Sequence, residues 1–486
     1  MNKNLSGLKP DVVWKNFELL TKIPRPSKKE GRIIEFMKDF GKNLGLETLV
    51  DEVGNVVIRK PATPGMENRK GIILQGHLDM VPQANSDKKF NFETDPIEAY
   101  IDGEWVTANG TTLGSDNGMG VAAAMAVLEA KDLVHGPVEG LFTVDEETGM
   151  TGAFNLKPGM LQGDILLNMD SEDEGELYIG CAGGVNASVS YHYDEVEAPS
   201  ANVGFKVMLS GMKGGHSGID IPLYRANANK LLFRFLKKAS NEFGVQIAEV
   251  EAGSLRNAIP REAWAVLSVD KGQLEQLKNW LNEFTTVVKN EYKTADPGLK
   301  VAFEMVDAPK KVMNSKSQKD FINAIYACPN GVVRMSSDME GLVETSTNLA
   351  IITVKSGEAV VKNLLRSSVD SAKQDLGEVV KSVFEMIGAK VELTGDYPGW
   401  KPNPDSPILK EMLEIYNNKF GKVPEIKAIH AGLECGLLGG VYPHWDMISF
   451  GPTIRYPHSP DEKVHIESVQ KFWDFLVETL KHVPAK

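Results

Sequence analysis

Cysteine is nearly absent from this chain: three residues, Cys181, Cys328 and Cys435, in a sequence of 486. An odd, widely spaced set excludes a disulfide framework and a cysteine-rich zinc motif, and it points to a reducing compartment. Long apolar runs are missing too. None reaches the roughly 20 residues that a helix needs to cross a bilayer. The stretch Met1-Asn2-Lys3-Asn4-Leu5-Ser6-Gly7-Leu8 lacks the apolar core of a signal peptide. A cytoplasmic location is therefore expected. Basic residues are in deficit, with 53 Lys and Arg against 66 Asp and Glu, a formal charge of −13. This balance argues against nucleic acid or an anionic membrane as partner, and it leaves carboxylates available for cations. Residues 113–120 are glycine-rich, yet they carry neither the dinucleotide spacing nor the Gly-Lys-Ser/Thr ending of a phosphate loop. The Gly-x-Ser-x-Gly elbow of many serine hydrolases is also absent.

What is present is a rhythm of helices and strands too long for one core, so two domains are expected. Apolar residues at helical spacing predict helices over 10–23 and 29–44. Strands are expected within 46–59, at 71–75, 140–144 and 164–169, with a hairpin around Asp102-Gly103 and a buried helix over 121–128. From about residue 186 the order becomes strand 205–209, helix 223–243, strands 246–252 and 263–269, helix 272–292 and strand 299–306, an α+β pattern. A similar but looser order continues to about 394. After Tyr397-Pro398-Gly399-Trp400, helices at 405–420, 432–440 and 466–482 and strands at 425–429 and 447–450 resume the first rhythm. The expected organisation is an α/β domain with a mixed sheet and flanking helices, built from 1–185 and 397–486, interrupted by an inserted α+β domain at 186–396.

The chemistry-bearing residues gather where strands end. His77 and Asp79 follow the apolar run Ile72-Ile73-Leu74; on an extended segment two such residues face the same side. Glu146 and Glu147 follow the 140–144 strand, Asp170 follows the 164–169 strand, and Asp116 opens a helix. One such cluster is ordinarily a turn or a helix cap. Three strand-end clusters in one half of a chain are harder to ascribe to chance, and adjacent carboxylates can divide labour between a metal and a proton.

In order and spacing, Gly76-His77-Leu78-Asp79, Gly114-Ser115-Asp116-Asn117-Gly118, Asp145-Glu146-Glu147-Thr148-Gly149, Asn168-Met169-Asp170 and Pro457-His458-Ser459-Pro460 resemble the di-metal amino- and carboxypeptidases of the M20 clan. The likeness extends through Gly214-Gly215-His216-Ser217-Gly218, Asn257-Ala258-Ile259-Pro260 and His430-Ala431-Gly432-Leu433-Glu434, and so covers essentially the whole chain. It implies a catalytic domain with an inserted lid or dimerisation domain, assembled as a homodimer. It implies two divalent ions, zinc first, with manganese or cobalt as alternatives. Asp116 would bridge them, His77 and Asp170 completing one and Glu147 and His458 the other. Asp79 would orient His77, and Glu146 would be the general base. A cis peptide bond is implied at Asp116-Asn117. The expected reaction is hydrolysis of dipeptides, Xaa-His and β-alanyl-histidine among them. For the substrate, the resemblance implies His216 at the oxyanion, against the alternative of a turn histidine. Asn257 would meet the substrate backbone, and Arg366 a free carboxylate through its planar fork. Glu434 is either an amine contact or a buried structural acid. A related exopeptidase or deacylase, and a peptide-binding protein on the same scaffold, remain as alternatives.

Overall fold

The segments Ile72–His77, Val138–Thr143, Ile165–Asn168 and Asp446–Ser449 lie side by side as parallel strands in the computed structural model, which describes Leu5 and residues 7–486. They are almost wholly buried, as parallel strands covered on both faces should be. Parallel strands also end on one edge of a sheet. The register sets His77 against Thr143, and Asn168 against Gln75 and Ser449. The loops leaving all four strands therefore start from one side, where sites in such sheets form. Four more strands flank this core and bring the sheet to eight. The pair expected within 46–59 is Glu47–Val50 with Val56–Lys60.

The helix Ser115–Glu129 is apolar all round and almost entirely buried, as a helix inside a core must be. Its first turn lies close to the strands. A Cβ on Gly76 would stand 2.3 Å from Asn117 Oδ1, and one on Gly120 would stand 2.6 Å from both Asn117 Oδ1 and the Met169 carbonyl. The expected hairpin is Ala99–Asp102 with Trp105–Ala108. It extends into a four-stranded sheet with Lys463–His465 and Ile454–Arg455. The loop carrying His458 is thereby closed at both ends.

The chain divides into two compact units. One holds the chain up to Cys181 together with Trp400–Ala428 and Leu433–Lys486; the other holds Ala182–Gly399 and Ile429–Gly432. The four residues Ile429–Gly432 pack with the second unit, which the sequence alone does not suggest. The second unit is a nine-stranded antiparallel sheet with the helices Ala228–Phe243, Leu274–Glu291, Ser315–Ala327 and Asp370–Glu385. Phe205, Leu232, Phe235, Leu281, Phe321 and Phe384 belong to its core. The helix expected from 223 starts later. A short 3-10 turn at Ile221–Leu223 gives way to Tyr224 in a left-handed conformation. The helix then begins at Ala228, where the Asn227 side chain accepts the Lys230 N–H. No helix among the described residues is long and apolar enough to cross a membrane.

Candidate metal centre

The two carboxylate oxygens of Asp116 face two different histidines. Oδ1 lies 3.1 Å from His77 Nε2, and Oδ2 lies 3.2 Å from His458 Nε2. Each histidine has a second carboxylate beside it: Asp170 Oδ1 at 3.4 Å from His77 Nε2, and Glu147 Oε2 at 3.0 Å from His458 Nε2. The result is two groups, His77/Asp116/Asp170 and Asp116/Glu147/His458, that share one carboxylate. Glu147 Oε1 is buried with no hydrogen-bond partner. A buried carboxylate oxygen left without a partner is a place for a cation. The donors are imidazole and carboxylate without thiolate, a set that fits zinc, manganese or cobalt. Asp116 sends both oxygens to histidines rather than to backbone N–H groups at the start of the helix. Its backbone is non-helical (φ −84°, ψ 112°), and the bond to Asn117 is cis.

Asp79 does not face this centre alongside His77. The strand ends at His77, the chain bends at Leu78, and the Asp79 carboxylate reaches the far side of the ring, Oδ1 lying 3.4 Å from Nδ1. It also accepts the N–H groups of Glu146 (3.0 Å) and Glu147 (3.3 Å) and the Ser27 hydroxyl (2.8 Å). One fully buried carboxylate thus ties the imidazole to the backbone of both glutamates. Glu146 shares a third group with His77 and Glu147.

Five acids in a small volume cannot all ionise as they would in water. Burial acts to raise the Asp116 carboxyl, but the hydrogen bonds from His458 and His77 outweigh it and hold Asp116 far below the usual range. Burial lifts Asp170 to about 7, against the pull of His77. Burial also pushes Glu146 well up, opposed by His77 and reinforced by Asp170, Glu434 and Glu147. Asp79 goes the other way: His77 overrides burial and brings it to about 2. His458, half exposed, is driven up to about 11 by Asp116 and Glu147.

Glu434 lies in this same unit, 1% exposed, accepting hydrogen bonds from Gln75 Nε2 (2.7 Å) and Thr143 Oγ1 (2.8 Å). Its Oε1 has no partner, and burial lifts its pKa to about 7. The other substrate candidates lie in the second unit. His216 pairs with Ala258 in an isolated bridge, which brings the exposed Asn257 beside it. His216 Nδ1 accepts the N–H groups of Gly218 and Ile219 at 3.2 and 3.0 Å, so the ring proton sits on Nε2. Arg366 Nη2 lies 3.4 Å from that Nε2, and Arg366 Nη1 donates to Tyr397 Oη at 3.2 Å. Arg366 is 5% exposed and its Nε has no partner. Burial and the nearby guanidinium lower His216 to about 4.

Among the buried charged residues of the first unit that escape sequence reasoning, Arg25 and Glu462 lie against the turn that carries Asp116. Both bond mainly to backbone groups, which leave no residue-type signal. The one available hint is that Glu462 closes the run Pro457-His458-Ser459-Pro460-Asp461-Glu462.

Histidines and acids paired about one shared carboxylate, beside the ends of parallel strands, form a candidate two-ion metal centre. Residues 73–482 match peptidase family M20/M25/M40, and the chain belongs to that family. It is 47% identical over 482 residues to the cytosol non-specific dipeptidase of Escherichia coli (strain K12), covering 99% of each chain. Its structure matches that of the aminoacylhistidine dipeptidase from Vibrio alginolyticus with a TM-score of 0.95 at 47% identity, over 99% of each chain. A more distant likeness, to the aminopeptidase PepT from Bacillus cereus, has a TM-score of 0.57 at 16% identity over 98% of this chain and 99% of the other, and concerns the fold alone.

Proposed function

We propose that this chain is a cytoplasmic metallo-dipeptidase that hydrolyses Xaa-His dipeptides, β-alanyl-histidine among them. The observation that carries this reading is the shared carboxylate of Asp116, with a separate histidine on each oxygen. His77 and Asp170 would hold one divalent ion, Glu147 and His458 the other, and zinc suits the donors best, with manganese or cobalt possible. When bound, such ions polarise a scissile carbonyl and lower the pKa of water.

The protein's own groups do the rest. Glu146 takes a proton from the attacking water and passes it to the departing amine. Its raised pKa suits the second half of that cycle. Asp79 keeps the Nδ1 side of His77 engaged, so Nε2 is the free nitrogen, and it fixes the backbone of Glu146. His216 is neutral at physiological pH with its proton on Nε2, a donor suited to the oxyanion of the tetrahedral intermediate. Arg366 meets the substrate's free carboxylate, Asn257 its backbone, and Glu434 its amine. Assembly is as a homodimer through the unit of Ala182–Gly399.

Histidine release from β-alanyl-histidine by metal-stripped protein tests the reading. Added zinc, manganese or cobalt should restore release. Glu146→Gln should lose activity by a factor on the order of 100 or more while still binding metal. Activity unaffected by stripping, or retained in Glu146→Gln, would overturn it.

A further inference from the structure

The turn that delivers Asp116 is gripped by two buried ions of opposite sign. Glu462, 2% exposed, points its carboxylate into the backbone of residues 113–116. Oε2 accepts the N–H groups of Leu113 (2.8 Å) and Gly114 (3.0 Å). Oε1 accepts those of Ser115 (2.7 Å) and Asp116 (3.2 Å), and the Ser115 hydroxyl at 2.6 Å. Four successive N–H groups converging on one anion form a preorganised nest. Arg25, 3% exposed, takes the carbonyls. Its Nη2 donates to Gly114 O at 2.5 Å, and its Nη1 donates to Leu78 O and Asp79 O, both at 2.9 Å.

These bonds connect three separate parts of the chain. Arg25 links the bend after His77 to the turn before Asp116. Glu462 links that turn to the loop bearing His458, and its own carbonyl is fixed by Thr107 Oγ1 at 2.7 Å. The fit is tight. Gly114 has φ 72°, and a Cβ there would stand 2.7 Å from Arg25 Nη2 and 2.9 Å from Met80 Sδ. Every polar atom of the Glu462 carboxylate is satisfied, and none of its bonds goes to a side chain that the reaction uses. Burying two charges without direct pairing is costly, so packing alone does not account for them.

We propose that Arg25 and Glu462 are positioning residues that set the spacing of His77, Asp116 and His458, and with it the ability of the centre to hold two ions at once. The proposal rests on the reading of Asp116 as the shared ligand. Neither residue touches substrate; they act through the backbone that carries the ligands.

Zinc titration of metal-stripped protein, with thermal unfolding of the same metal-free samples, tests it. Glu462→Gln keeps the shape but turns a donor toward backbone donors. Arg25→Lys keeps the charge but loses the fork. Each should weaken at least one zinc ion by about 10- to 100-fold. Ser115→Ala, which removes one of five contacts to Glu462, should weaken zinc by a smaller factor with the metal-free melting temperature unchanged. Asp116→Asn serves as the control and should lose paired binding. Wild-type affinity for both ions in Glu462→Gln and Arg25→Lys, with binding lost in Asp116→Asn, overturns the positioning role. Wild-type binding in Asp116→Asn overturns the underlying metal-centre reading instead. If Glu462→Gln does not fold, wild-type affinity in both Ser115→Ala and Arg25→Lys overturns the proposal.

Discussion

His430 shows how a single side chain can make stability depend on pH. It is 6% exposed in the second unit, with Nε2 at 2.7 Å from Ser346 Oγ. Burial, then the charges of Arg366 and His216, lower its pKa to about 3. The unfolded chain protonates this imidazole near 6.5. Unfolding therefore takes up a proton between pH 6.5 and 3, and stability present above 6.5 is lost as pH falls through that window. At pH 5 the loss from this one group is about 2 kcal/mol. Urea unfolding at pH 7 and pH 5 should show wild type losing roughly that much more than His430→Asn; equal losses would show that His430 is not the group responsible. At this scale the sequence was legible where residue type and spacing carry the chemistry. Asp116, Glu147, Asp170, His77 and His458 come together around one point. The placement of Asp79 was not legible from alternation, which holds only while the strand continues, and this strand stops at His77. Arg25 and Glu462 were invisible because their partners are peptide groups.

At the scale of elements, the close approach of the helix Ser115–Glu129 to the strands is what aims Asp116 at His77. Gly120 permits it. Gly120→Ala should destabilise by about 1–3 kcal/mol, because its methyl meets a backbone carbonyl and a buried amide, neither free to retreat. Urea unfolding of the metal-free protein measures this. A Gly120→Ala loss under about 0.5 kcal/mol, the range of a substitution that meets nothing, would remove the argument. Elements with strong periodicity were readable to within a few residues, as with Leu274–Glu291 against an expected 272–292. The strand Gly183–His192 begins in Gly183-Gly184, which reads as a loop, although Val185, Ala187, Val189 and Tyr191 behind it alternate with polar residues as a half-buried strand does. The start of Ala228–Phe243 was misplaced because Leu223 and Tyr224, apolar residues at helical spacing, belong to an exposed turn.

Across the whole molecule, the candidate ligand residues all lie in one unit, while the other has a hydrophobic core of its own. Metal should therefore stabilise unevenly. In scanning calorimetry, zinc at a hundredfold excess over its Kd should add about 2.7 kcal/mol to the unit that binds it. The transition of that unit should rise while the other stays put. Equal shifts in all transitions would mean that the two units unfold as one.

The order of the strands also fixes a timetable. Asp446–Ser449 pairs with Ile165–Asn168, although the second unit lies between them in the chain. Roughly 280 residues must be synthesised after the inner strand before its neighbour exists, an interval of about 15 to 55 s at ordinary translation rates. Until then that strand keeps an open, apolar edge on the ribosome, and His458 has not been made. The stretch Ala182–Gly399 of the second unit is made while the first waits, so the candidate metal centre is among the last parts of the newborn protein to form. A nascent chain stalled before residue 446 would carry no working site and one exposed strand, which is the state a chaperone would meet.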